Sequence, residues 1–181
     1  MGTRERGRAG IVGKAAAVNA WQEPIKLVEL FGGIGAGLAA VLKAGVAVRE
    51  WVYVENNEQV RKMAEHHARK LQQEYPELLE EAVIVKAMRG TVTDVRSITR
   101  EVVRSWGHVD LLVARWECQA VSRAGKGKGL GDPRGALLVN LLCIIDWIKE
   151  GQEKVVYLLE HLIRSDTTCR SSDRRGENLE D

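Results

Sequence analysis

Three cysteines in 181 residues, Cys118, Cys143 and Cys169, are few, scattered and odd in number. That excludes a disulfide framework or a C-x-x-C metal site as the basis of the fold, and it suits a reducing compartment. No apolar run approaches the roughly 18 residues that a membrane span needs, so neither a membrane nor a metal is an expected partner. A formal net charge of +2 is too small to announce a nucleic-acid binder by itself. The N-terminus has no secretory apolar core. Residues 1–20 are rich in Arg, Ala and Gly, with Glu5 the single acid and no serine, and Arg6 stands where myristoylation of Gly2 expects Ser or Thr. Residues 1–22 therefore read as a disordered leader. No internal repeat is present.

What the chain does have is an ordinary globular composition, 45% hydrophobic and 29% charged, long enough for one domain with a substantial core. Short apolar runs alternate with helical patterns. Residues 25–31 (I-K-L-V-E-L-F), 50–54, 82–86, 109–113 and 155–159 read as five strands. Helices are expected at 38–43, closed by Gly45, at 58–73, at about 97–106, and at 135–149. Pro76 marks a turn, and residues 91–96 form a loop carrying Asp94. The alternation predicts an α/β fold with a doubly wound, mostly parallel sheet. Its strands, being unbroken apolar runs, are expected to be buried on both faces. From Arg164 onward the chain is polar without periodicity, and residues 164–181 read as a disordered tail.

In such a sheet, ligands bind beyond the carboxyl ends of the strands. The first strand runs into Gly32-Gly33-Ile34-Gly35-Ala36-Gly37, where glycines let a backbone approach a cofactor closely. A dinucleotide fingerprint needs a glycine at position 38, which is Leu. Glu55 ends the next strand, placed to accept from both hydroxyls of a ribose, and Asp94, after the third, is placed for an adenine amino group. The set suggests an adenosyl cofactor without a pyrophosphate, and S-adenosylmethionine fits. The bland reading is a tight strand–helix turn with two solvated carboxylates.

The most informative stretch is residues 109–137. An apolar run ends in a polar loop presenting Cys118, and a segment rich in glycine and lysine follows. E-C-Q-A-V-S-R-A-G-K-G-K-G-L-G-D-P-R-G-A-L resembles the P-C-Q-x-x-S-x-A-G-K-x-x-G-x-x-D-x-R-x-x-L of DNA cytosine-C5 methyltransferases. V-E-L-F-G-G-I-G-A-G-L resembles that family's opening D-L-F-x-G-x-G-G. The resemblance covers about residues 27–162, in the family's order.

The resemblance implies a Rossmann-like S-adenosylmethionine methyltransferase fold, with strand order 3-2-1-4-5, over residues 23–163. It implies methyl transfer from S-adenosylmethionine to C5 of a cytosine flipped out of DNA. Cytosine C5 is a poor nucleophile until a thiolate adds to C6, and Cys118 takes that role. Glu160 matches the glutamate of the family's Glu-Asn-Val, whose protonated carboxyl hydrogen-bonds cytosine N3. Gln119 and Ser122 belong to the same catalytic loop. Phe31, Gly33, Gly35, Gly37, Glu55 and Asp94 make the expected cofactor site, and Lys126, Lys128 and Arg134 the expected contacts to nucleic acid.

Two residues depart from the pattern. Glu117 replaces the proline before the nucleophile, and a carboxylate pointing inward there raises a thiol pKa. His161 replaces the asparagine after Glu160. The arginine strand and target-recognition region that follow in the family have no counterpart here. The expectation is therefore a truncated product, an incomplete gene model, or a split enzyme whose second chain supplies recognition. Two alternatives stand beside the DNA methyltransferase: a degenerate fragment that binds cofactor or a partner without turnover, and an RNA cytosine-C5 methyltransferase on the same fold. Away from the motif, Cys143 reads as core, His66 and His67 as a solvated helix face, and Trp51, Trp106 and Trp147 as packing or edge residues. Trp116 reads the same way, with the base pocket as its alternative place.

Overall fold

The computed structural model describes Trp21, residues 23–115 and residues 135–160. Four parallel strands, β1 (Ile25–Leu30), β2 (Val48–Val54), β3 (Leu111–Arg115) and β4 (Val156–Glu160), form one sheet in the order β2-β1-β3-β4. Between them lie α1 (Ala36–Lys43), α2 (Glu58–Glu74), α3 (Glu81–Met88), a 3-10 turn at Val95–Ser97, α4 (Arg100–Trp106) and α5 (Gly135–Gly151).

β1 is the centre, and all six of its residues are buried. Alternation along it feeds two cores. Ile25 and Leu27 face a cluster with Trp51, Tyr53, Leu38, Ala64 and Ile84, which belongs to α1, α2 and α3. Val28 and Leu30 face the other side, with Val103, Leu141, Ile144 and Ile148 from α4 and α5. Helices on both faces of a parallel sheet give the doubly wound α/β architecture expected from the alternation.

One expected strand is a helix. Residues 82–86 (A-V-I-V-K) lie in α3, where Val83, Ile84 and Ala87 turn inward. A short β-branched run is ambiguous by pattern alone. Here the helical spacing buries three of its apolar residues against β2 and leaves Lys86 outside on Glu50 (2.7 Å). The free edge of β2 receives a single parallel bridge, Val48 with Leu79. In the numbering of the five expected strands, the sheet runs 2-1-4-5, the anticipated order without its third member.

β4 also departs from expectation. It is an outer strand, and Val156, Leu158 and Leu159 are exposed. Among the described residues no strand pairs with its far side. Cys143, expected in the core, is half-buried on α5, whereas Trp51 and Trp106 are buried and Trp147 is half-buried.

Helix ends explain where the chain turns. Asn57 caps α2, its side chain accepting from the Gln59 and Val60 amides at 2.9 and 3.2 Å. Gly45, at φ 79°, follows α1 as the left-handed residue that stops it. At the amino end of the sheet, buried Lys26 pairs with Glu50 at 2.7 Å and also donates to the Trp106 carbonyl. Arg49 pairs there with Asp110 at 2.8 Å. These contacts tie strand starts together, on the side away from the glycine turn.

Candidate active site

The carboxyl ends of β1 and β2 carry the first part of the site. Leu30 and Val54 are register partners, so the chain leaves both strands at the same level. Phe31 follows at φ 54°, a left-handed conformation costly for a residue with a Cβ. Such strain persists only where the surroundings enforce it, and here they do. The Gly32 amide donates to the Val54 carbonyl (3.0 Å), and the Gly35 amide to the Gly32 carbonyl (2.9 Å). The Tyr53 hydroxyl donates to the Gly33 carbonyl at 2.5 Å. A Cβ on Gly32 would stand 2.3 Å from Cε2 of buried Tyr53, so no other residue fits under the turn.

Gly33 is different. At its φ of 54° the space where a Cβ would project is open, with no atom within 4 Å. Its amide donates to Glu55 Oε2 at 3.2 Å, and the Asn57 amide donates to Glu55 Oε1 at 2.9 Å. Each carboxylate oxygen thus has one backbone donor and a lone pair to spare. A bare backbone ledge beside a fixed, half-buried carboxylate suits a ribose bearing two hydroxyls.

Asp94 caps the 3-10 turn through the Arg96 amide (2.9 Å) and also accepts from the Arg96 guanidinium, whose hydrogen bonds hold the carboxyl below the usual carboxylate range. It is an anchored anion, part of the loop that precedes α4. Glu160 stands opposite Arg115 in register, at the carboxyl end of β4. Arg115 Nε lies 3.6 Å from Glu160 Oε1, and both side chains are more than half exposed, which makes this a solvent-screened pair. Strands lie about 4.8 Å apart, so Glu160, two strands from β1, is on the order of 10 Å across the sheet from the glycine turn. Cys118, Gln119, Ser122, Lys126, Lys128 and Arg134 lie outside the described residues, as do Trp116, Glu117, His161, Cys169, the tail segment and all of the leader but Trp21.

The least expected member of this region is Glu29, in the middle of β1. It is 3% exposed. Its Oε1 accepts from the Gly37 amide at 2.7 Å and its Oε2 from Trp51 Nε1 at 3.0 Å, and the neighbouring Leu38 amide also favours its charged form. Gly37 makes this possible, since a Cβ there would lie 2.8 Å from Glu29 Oε1 and 3.1 Å from Val113 Cγ1. The third glycine of G-x-G-x-G therefore serves the buried carboxylate, while Gly33 faces the open ledge. His67 also differs from its reading as a solvated face residue. Its Nδ1 lies 2.8 Å from the Ile34 carbonyl, bracing the turn from α2.

A model of the C-5 cytosine-specific DNA methylase family matches residues 25–158, most of the chain and all of its described sheet but the last two residues of β4. The chain belongs to that family. No curated protein matches it. The matched residues include the glycine turn, the ends of β1, β2 and β3 and the cysteine stretch. Among the described residues, no group of three His, Cys, Asp or Glu side chains is placed to hold a metal.

Burial gives Glu29 a measurable signature in this methylase domain. Desolvation outweighs its three donors and pushes its carboxyl up from 4.5 to about 7. The folded state therefore keeps a proton that the unfolded chain has already released between these two values. That advantage is complete below pH 4.5 and is lost as pH rises through 7. A shift of this size corresponds to about 3 kcal/mol. Chemical denaturation between pH 5 and pH 8 is expected to show a falling contribution of that order in the wild type and none in Glu29→Leu.

Proposed function

We propose that this chain transfers a methyl group from S-adenosylmethionine to C5 of cytosine in DNA. The observation that carries the reading is the ledge of Gly33 and Glu55 at the carboxyl ends of β1 and β2. It lies in a sheet whose β3 ends three residues before Cys118 and whose β4 ends in Glu160.

The fit to the cofactor is chemical. Folds that hold a pyrophosphate offer the free amides of the helix after the first strand. Here the Gly37 amide at the start of α1 is taken by the protein's own carboxyl group, Glu29. What is left is a ledge and a carboxylate, suited to a nucleoside without phosphates. Glu55 would hold the ribose hydroxyls, Gly33 would admit the backbone-close part of the ligand, and Phe31 would flank it. When bound, S-adenosylmethionine supplies an electrophilic methyl group.

The residues of the chain prepare the base. The Cys118 thiolate adds to C6, forming a carbon–sulfur bond and turning C5 into a nucleophile toward that methyl. Glu160, protonated, donates to N3 and takes up the charge that develops on the ring. Removal of the C5 proton returns the electron pair to C5–C6 and expels the thiolate. Lys126, Lys128 and Arg134 neutralise phosphates around the flipped nucleotide.

The test is covalent capture. Radiolabelled S-adenosylmethionine is incubated with the protein and an oligonucleotide containing 5-fluorocytosine, whose C5 fluorine blocks elimination. A labelled protein–DNA adduct is expected. Cofactor binding without an adduct favours the degenerate reading, which the Glu117 beside Cys118 supports, and an adduct formed only with an RNA oligonucleotide overturns DNA as substrate. Cofactor recognition has its own prediction. Glu55→Ala removes charged acceptors worth about 1.5–3 kcal/mol, and calorimetric titration with S-adenosylmethionine is expected to show affinity lower by roughly 10- to 100-fold.

A further inference from the structure

We propose that Glu29 is the positioning residue of the glycine turn, holding α1 and β2 together beneath the cofactor ledge in its ionised form, so that cofactor affinity follows its protonation. The proposal rests on reading the ledge as an S-adenosylmethionine site, and it adds a residue that touches no ligand.

The geometry is specific to an acceptor. Both groups that hydrogen-bond the Glu29 carboxyl are donors, the Gly37 amide from α1 and the Trp51 indole from β2, and the Leu38 amide beside them also favours the charged form. A carboxylate offers lone pairs to all three, whereas a protonated carboxyl or a carboxamide carries hydrogens that point at hydrogens. The remaining carbonyl oxygen serves one side only, so either the Gly37 amide of α1 or the Trp51 indole of β2 loses its acceptor, and the link between the two elements is broken. Gly35, whose carbonyl accepts the Ala39 amide at 3.1 Å in the first turn of that helix, and Gly33 beyond it belong to the same short turn. Trp51 extends the control, because its ring lies beneath Gly35, where a Cβ would be 3.5 Å from it.

Other charged or titratable groups face the same region. Tyr53 on β2, its register partner, is buried and its hydroxyl is pushed far above the ordinary range. Arg61 of α2 lies over the Tyr53 ring at 5.6 Å. β3 presents Val113, and α1 presents no titratable side chain toward it. Glu55 faces the ledge, and His67 meets the same turn at Ile34. With its carboxyl raised to about 7, Glu29 changes charge where Tyr53 does not.

The experiment uses the full chain in three forms, wild type, Glu29→Gln and His67→Gln. Two readouts are taken from pH 6 to 8.5: calorimetric affinity for S-adenosylmethionine, and hydrogen exchange of the Gly37 and Leu38 amides without cofactor. Circular dichroism confirms that each variant is folded. In the wild type, affinity is expected to rise about tenfold from pH 6 to 8, with slow exchange of both amides once intrinsic rates are removed. In Glu29→Gln, affinity is expected to be low and flat, and exchange at least tenfold faster. His67→Gln, which loosens the same turn at Ile34, is expected to lower affinity evenly across the range and to keep the wild-type dependence on pH. A profile lost in His67→Gln and kept in Glu29→Gln overturns the proposal, as does unchanged Gly37 exchange in Glu29→Gln. Wild type that binds no S-adenosylmethionine at any pH overturns the cofactor reading, and the exchange data then still decide whether Glu29 holds the turn.

Discussion

Cys118→Ser is expected to bind S-adenosylmethionine as the wild type does and to lose methyl transfer by a factor on the order of 10³ or more. Removal of a covalent nucleophile typically costs this much or more, because the remaining groups act only in concert with it. The size follows from the chemistry. Without a carbon–sulfur bond at C6, C5 stays an aromatic carbon with little affinity for an electrophile. The serine hydroxyl is a far weaker nucleophile than a thiol that already has a few per cent of thiolate at neutral pH. Tritiated methyl incorporation into a cytosine-containing duplex measures the loss, and the fluorocytosine adduct should vanish with it. Retained cofactor affinity assigns the loss to chemistry. Incorporation within a few-fold of wild type would remove Cys118 from the mechanism.

Alongside that, Glu117 makes a directional claim about the same thiol. A carboxylate next to a nucleophilic cysteine disfavours the thiolate when it faces it. Its effect would appear as a rate that keeps rising with pH and moves to lower pH in Glu117→Pro.

The sheet was readable because its strands are apolar runs cut off by residues that cannot continue them. β1 stops where Phe31 and Gly33 need left-handed backbone, and β2 stops before Asn57, which caps the next helix. Parallel order followed from strand–helix alternation. α3 was not readable for a physical reason. A-V-I-V-K satisfies a strand by composition, and only the packing of Val83, Ile84 and Ala87 into the cluster around Trp51 and Leu79 selects the helix.

The same limit separates the parts of the site. Gly33 and Glu55 were legible because both sit at strand ends, and neighbouring parallel strands must bring their ends together. Glu29 was not, although a lone carboxylate in I-K-L-V-E-L-F is a signal in itself. Its meaning depends on Gly37 and Trp51, 8 and 22 residues away, converging on one point. Gly37 was legible as a required glycine but not as a slot for a side chain from the strand behind it. The cysteine stretch was the reverse case, specific by its pattern and placed outside the described residues.

Trp51→Ala is the substitution expected to damage the fold most. Trp51 is 2% exposed and packs its ring against Tyr53 at 4.8 Å between centroids. Truncation opens a cavity under the glycine turn, and large-to-small changes of this kind cost about 3–5 kcal/mol. Loss of the indole N–H also leaves the buried Glu29 short of a donor, a further penalty of about 1–3 kcal/mol. Against a total stability of about 5–15 kcal/mol, the sum approaches global unfolding. Trp51→Phe separates the two contributions. It keeps most of the ring and removes only the donor, so its loss should be the smaller one, and it should grow as pH rises through 7 and Glu29 ionises. Urea unfolding at pH 5.5 and 8 measures both variants. A Trp51→Phe deficit equal at the two pH values would show that the indole supports Tyr53 and Gly35 by packing alone, and that the carboxylate beneath the turn draws its hold from α1.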